Sequence, residues 1–220
     1  LGLHVLLNEH VVLQHGDARV VIAGVADWSA HHFLPKHRSD PQAAIAGAPA
    51  SGKSPLSAAL RDALRVLGET AVVVPMDGFH FDDIILNARG HRPRKGAPFT
   101  FDVRGFESLL KRIRAGEPEI AIPVFDRSME LSRNAADIVS QDARFILAEG
   151  NYLLLKQPPW DRLRGLFDYA IYLSVPREEL ERRLVKRWLD HGFDMAYASN
   201  WIASNDMPNI DEVIAGSGPA

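Results

Sequence analysis

An α/β fold in three layers, helices on both faces of a mainly parallel sheet, is predicted by three features of the 220-residue sequence. From Ala43 onward, short apolar runs alternate with amphipathic stretches, the pattern of parallel strands joined by crossover helices. One apolar run, Ala43 to Ala46, leads directly into a Gly-rich loop. A long charged stretch opens on Pro176 and closes on Gly192, the punctuation that helices favour. Residues 1–42 differ in texture and read as a short β-rich appendage to a domain spanning 43–220.

In the appendage, Leu3 to Leu7, Val11 to Leu13 and Arg19 to Val25 are expected strands, with His15-Gly16-Asp17 turning between the last two. A polar stretch with His31, His32 and His37 follows. Beyond the Gly-rich loop, Leu56, Leu60, Leu64 and Leu67 form a helical stripe that ends at Gly68. Ala71 to Val74 is a continuous apolar strand of the buried kind. Gly78 to Thr100 is a long loop rich in Gly, Pro and basic residues, a length usually kept for function or disorder. Phe106 to Ala115 is an expected helix, and Ile120 to Phe125, Phe145 to Ala148 and Ala170 to Val175 are three further strands of the sheet.

Composition narrows the function classes. Apolar residues are 46 % and charged residues 24 %, as in a globular chain. A net charge of −3 argues against a nucleic-acid partner. There is no cysteine, which removes disulfides, thiolate metal sites and cysteine nucleophiles and suits a cytoplasmic setting. No apolar run approaches the roughly 18 residues of a membrane span, so no membrane partner is expected. Oligomeric state is not readable from sequence, and a homodimer stays open.

Gly47-Ala48-Pro49-Ala50-Ser51-Gly52-Lys53-Ser54 matches G-x-x-x-x-G-K-[ST], the P-loop. Its chemistry is specific. Gly47 and Gly52 let the backbone turn its N–H groups, those of Ala50 and Ser51 included, toward phosphate oxygens. Lys53 reaches the outer phosphates of ATP, and the Ser54 hydroxyl ligates Mg²⁺. The helix that follows places its positive end at the anion. Pro55 departs from the ideal, because it lacks an N–H where a further phosphate contact is usual. A lost hydrogen bond to a charged group costs about 1.5–3 kcal/mol, enough to weaken nucleotide binding at least tenfold.

Open α/β sheets bind ligands outside the carboxyl ends of their strands, and two carboxylates fall there. Asp77 follows Val72 to Met76, and Glu149 follows Phe145 to Ala148. One carboxylate near the attacking hydroxyl and another near Mg²⁺ would serve phosphoryl transfer; capping of a turn is the plainer role for each.

Several motifs then occur in order: Gly47 to Ser54, Met76 to His80, Arg94 to Asp102, Pro123 to Arg127, and Glu149 to Tyr152. Together they resemble the uridine kinase, phosphoribulokinase and pantothenate kinase group of P-loop kinases, and within it the bacterial nucleoside/nucleotide kinase-like, fructose-transport-system kinase branch. The resemblance covers roughly Ala43 to Ser217. It implies ATP-dependent phosphorylation of a small-molecule hydroxyl, with Asp77 as base and with Lys53 and Glu149 beside it. It further implies a substrate side made of His80, Arg94, Lys95, Asp102, Asp126 and Arg127. Lys186 and Arg187 match a basic lid over the phosphates, and Asn205 lies in a segment near the adenine end. Plainer readings stand beside these: a packed histidine for His80, a loop that never meets ligand for Arg94 and Lys95, a helix cap for Asp102, and a solvated salt-bridged face for the lid helix.

Residues 1–42 instead resemble, in part, a middle segment of calcineurin-like metallophosphoesterases. The metal motifs of those enzymes are absent, so His31, His32 and His37 fit loop histidines better than ligands. The expectation is a fused chain, shortened at its C-terminus. Two rivals come from other classes. A GTPase switch lacks its N-K-x-D motif; a catalytically inactive nucleotide-binding remnant is favoured by Pro55.

Overall fold

A computed structural model describes residues 10–15, 18–24 and 42–217, with side chains from 42–217. The expected strand Leu3 to Leu7 and the histidines at 31, 32 and 37 lie outside the described residues.

Among the described residues, the main sheet has six strands. In chain order they are β1 (His10–His15), β2 (Ala18–Gly24), β3 (Gln42–Gly47), β4 (Ala71–Pro75), β7 (Phe145–Gly150) and β8 (Tyr169–Ser174). Their spatial order is β1-β2-β8-β3-β7-β4. Pairings β8–β3, β3–β7 and β7–β4 are parallel, while β1–β2 and β2–β8 are antiparallel. The central strands are apolar because helices cover both faces: Ala44, Ile45 and Ala46 of β3 are fully buried, as are Ile146 to Ala148 of β7. Helix α1 (Lys53–Val66) lays Leu56, Leu60 and Leu64 on one face, over Ile45, Leu147 and Leu173. Helix α3 (Val103–Arg114) buries Phe106, Leu109 and Leu110 on the other.

One expected sheet strand sits elsewhere. Strand β5 (Ile120–Asp126) pairs with β6 (Leu131–Val139) as a separate antiparallel hairpin, bulged between Ile122 and Val124. Pro123 stands at the bulge, where a missing N–H removes no ladder bond from a central sheet. The loop from Gly78 to Thr100 is also more structured than expected. It carries α2 (Asp83–Ala88) between single 3₁₀ turns at Met76–Phe79, Arg92–Arg94 and Pro98–Thr100. The chain ends in α4 (Arg177–Asp190), α5 (Met195–Trp201) and α6 (Met207–Gly216), the last two joined by a π-helical turn at Ile202–Asp206. Among the described residues, no helix is long and apolar enough to cross a membrane.

Candidate active site

A cleft of about 870 Å³ opens at the carboxyl ends of the parallel strands. Its floor is the loop from Gly47 to Ser54, delivered there by β3. Gly47 takes φ +154°, and a Cβ on it would meet Ser51 Oγ at 2.8 Å and the Leu173 carbonyl oxygen at 2.9 Å, so a side chain would not fit. Gly52, at φ +99°, turns the chain into α1. That helix starts with no side-chain cap and no acidic residue in its first turn. Among the described residues, the amides of Ala50, Gly52, Lys53 and Ser54 find no acceptor, and Ser51 Oγ is buried without a partner. A cradle of unpaired donors at an uncapped helix start fits a polyphosphate. Pro55 contributes no amide, and the next one, on Leu56, is spent on the Gly52 carbonyl.

Three charged groups converge on this floor. Lys53 is 7 % exposed and donates from Nζ to the Ala48 carbonyl at 3.0 Å. Burial pushes its pKa down, while Glu149 and Asp77 pull it back up. Glu149 is 9 % exposed at the end of β7. Burial raises its pKa, against the pull of Lys53 and of the Ser54 hydroxyl beside it. A carboxylate and a hydroxyl facing each other next to unpaired amides are hard oxygen donors of the kind Mg²⁺ accepts. Asp77 sits in the turn after β4, where Gly78 lets the Pro123 carbonyl approach so closely that a Cβ would collide with it. His80 Nδ1–H donates to the Asp77 carbonyl at 2.8 Å. The imidazole packs between Phe101 and Phe125, and burial keeps its pKa low. The Asp77 turn is thus held from both sides.

The other expected residues divide. Lys95 lines the cleft, 7 % exposed, paired with Asp83 at 2.8 Å and lying 5.3 Å over the Phe125 ring. Arg127 lines it too, with Nη2 2.8 Å from Asp77 Oδ2. Asn205 lines it while its amide holds the Lys95 carbonyl at 2.9 Å. Four others do not line the cleft and are bonded to protein groups. Arg94 does not line the cleft itself but braces two residues that do, donating to Asn205 and Asn209 at 3.2 and 3.0 Å. Asp102 is the N-cap of α3, accepting from the Gly105 amide at 2.9 Å. Asp126 binds Ser128 and the Met129 amide, shaping the hairpin turn. Lys186 is exposed and paired with Asp190.

On α4, the cleft is lined by Arg183 and Arg187. Arg183 reaches the carbonyls of Ala50 and Ser51 at 3.3 and 3.4 Å and pairs with Glu179. Helical spacing carried this signal: Leu180 and Leu184 are buried, residues four apart share a face, and Lys186 lies about half a turn from Leu184. Sequence reading also passed over an aromatic wall. Trp188, Phe193, Tyr197 and Trp201 line the cleft, with Phe193 stacked on Tyr197 at 4.7 Å. Trp188 Nε1–H donates to Asp206 at 2.9 Å, and burial raises the pKa of that carboxyl. Among the described residues there is no His/Asp/Glu cluster able to hold a metal ion by itself.

This fold and this floor define a P-loop protein. No family model matches the chain. A candidate uridine kinase of Schizosaccharomyces pombe is 35 % identical over 166 residues, covering 72 % of this chain and 71 % of its own. A candidate fructose transport system kinase from Silicibacter sp. TM1040 superposes with a TM-score of 0.81 at 41 % identity, over 87 % of this chain and 92 % of its own. The pantothenate kinase of Myxococcus xanthus is 32 % identical over 66 % of this chain. The chain spans 49 % of that enzyme's length, and 59 % of that of the uncharacterized protein YggC of Escherichia coli. The chain belongs to the P-loop kinases that group uridine kinase-like proteins with pantothenate kinases.

Proposed function

We propose that this chain transfers the γ-phosphoryl group of ATP to a hydroxyl of a small metabolite, a nucleoside, a sugar or a pantothenate-like compound. The observation that carries the reading is that Asp77 and Glu149, from the ends of β4 and β7, line one cleft with Lys53 and Ser54 of the P-loop floor. Lys53 and the unpaired loop amides hold the phosphates. Ser54 and Glu149 are the residues that would hold Mg²⁺, which when bound supplies positive charge at the phosphate oxygens. Asp77 accepts the proton of the acceptor hydroxyl as its oxygen bonds to the γ-phosphorus and the bond to the ADP oxygen breaks. Arg187, on the cleft wall with no ionic partner among the described residues, offsets charge that develops during transfer.

The test is ADP formation from Mg-ATP with a panel of sugars, nucleosides and pantothenate, beside a Lys53→Ala control. Acceptor-stimulated turnover that the control loses by roughly 10²–10³-fold is expected. Nucleotide binding without stimulation by any acceptor would favour the second reading, an inactive nucleotide-binding module, which rests on the amide missing at Pro55.

A further inference from the structure

The outer end of the cleft holds an ion pair that phosphoryl transfer does not call for. Arg127 Nη2 donates to Asp77 Oδ2 at 2.8 Å, so a guanidinium occupies the carboxylate that has to receive the acceptor's proton. The other cations at this end are engaged elsewhere, Lys95 with Asp83 and Glu130 and Arg92 with Asp83. Arg127 has no ionic partner but Asp77 among the described residues, and its side chain is 72 % exposed. Exposed pairs of this kind hold weakly and exchange readily. The backbone that presents it is stiff, because Asp126 accepts from both the amide and the hydroxyl of Ser128 and from the Met129 amide. The result is a fixed mount carrying an exposed, planar fork that matches a carboxylate or a phosphate.

We infer that the acceptor is an anion, a hydroxyl compound bearing a carboxylate or a phosphate that takes the Arg127 guanidinium and so frees Asp77 for the hydroxyl. The inference rests on the kinase reading above and adds the substrate's charge to it. A neutral acceptor reaches Asp77 only by turning Arg127 into water with nothing in exchange, or by sharing the carboxylate with it. Either way its hydroxyl meets a weaker base. An anionic acceptor supplies the exchange partner itself, so the pair sorts acceptors by charge before chemistry begins.

The experiment compares matched compounds that differ in charge, ribose against ribose 5-phosphate and glycerol against glycerate. ADP formation from Mg-ATP is read in the wild-type chain and in Arg127→Ala and Arg127→Lys variants. In at least one pair, the anion is expected to show a KM roughly 10- to 100-fold below that of its neutral partner. The pair in which this occurs separates phosphate from carboxylate. Arg127→Ala removes the preference by raising the KM of the anion while the KM of ATP stays within about twofold, and Arg127→Lys keeps part of it, since charge survives where the fork does not. Stimulation by neutral compounds alone, or a preference that survives Arg127→Ala, overturns the inference and leaves the kinase reading standing. ADP formation that no compound stimulates and that Lys53→Ala does not lower overturns both.

Discussion

The two ends of the cleft are built from different material. At the end proposed for phosphate, the donors on offer are backbone amides, and the side chains beside them, Lys53 and Glu149, are almost fully buried. At the acceptor end, the polar surface is made of long side chains on a hairpin and a loop, with Arg127 largely in solvent. Backbone geometry leaves little room for variation, since Gly47 and Gly78 sit where a Cβ would collide. Side chains on an exposed turn can be exchanged without disturbing the fold. In the proposed reading, one end is therefore tied to a single ligand chemistry, while the other is where acceptor preference can change.

Four substitutions would break or sharpen that contrast. Asp77→Asn stands at the seam between the two ends and has the largest expected effect. It should lower kcat by roughly 10²–10⁴-fold with the KM of ATP nearly unchanged, as loss of a proton acceptor does. A large rise in the KM of ATP, read in steady-state kinetics, would place Asp77 with the phosphate end. Pro55→Ala restores an amide at the start of α1 and should tighten ATP binding about tenfold by titration calorimetry. Unchanged affinity would mean that this amide does not face the nucleotide.

Glu149→Gln separates binding from stability. Burial raises the Glu149 pKa above its ordinary 4.5, so the folded chain holds that proton more tightly than the unfolded one. Stability from this group is present below 4.5 and is lost as pH climbs through the raised folded value. The glutamine variant should flatten that pH slope, at reduced turnover. Equal slopes in the two proteins, followed by thermal melting across pH, would show that the carboxylate is compensated where it lies. Asp102→Ala is expected to act least, costing about 1 kcal/mol through the lost cap of α3. Chemical denaturation would report that cost, with the acceptor KM unaffected; a raised acceptor KM would return Asp102 to the substrate side.

Legibility in the sequence followed the same division. The floor was readable because its requirements are local: consecutive residues set the turn, the lysine and the helix start, and a strand of four or five apolar residues announced each carboxylate. The acceptor end depends on which face a residue occupies after folding. Arg94 and Lys95 are neighbours, yet one clamps the last helices and the other enters the cleft. Strand β6 gave no signal because most of it is exposed, and pairing with β5 rather than apolar alternation makes it a strand. The aromatic wall was hidden for a similar reason. Trp188, Phe193, Tyr197 and Trp201 belong to two helices and the turn between them, and only their docking turns four separate rings into one surface.

Arg183 gives the cradle a property that its sequence does not announce. Its guanidinium ties α4 to the carbonyls of Ala50 and Ser51. A brace of this kind lowers the ordering cost that a nucleotide would otherwise meet in the loop, so Arg183→Ala is expected to weaken nucleotide binding although the side chain need not touch the ligand.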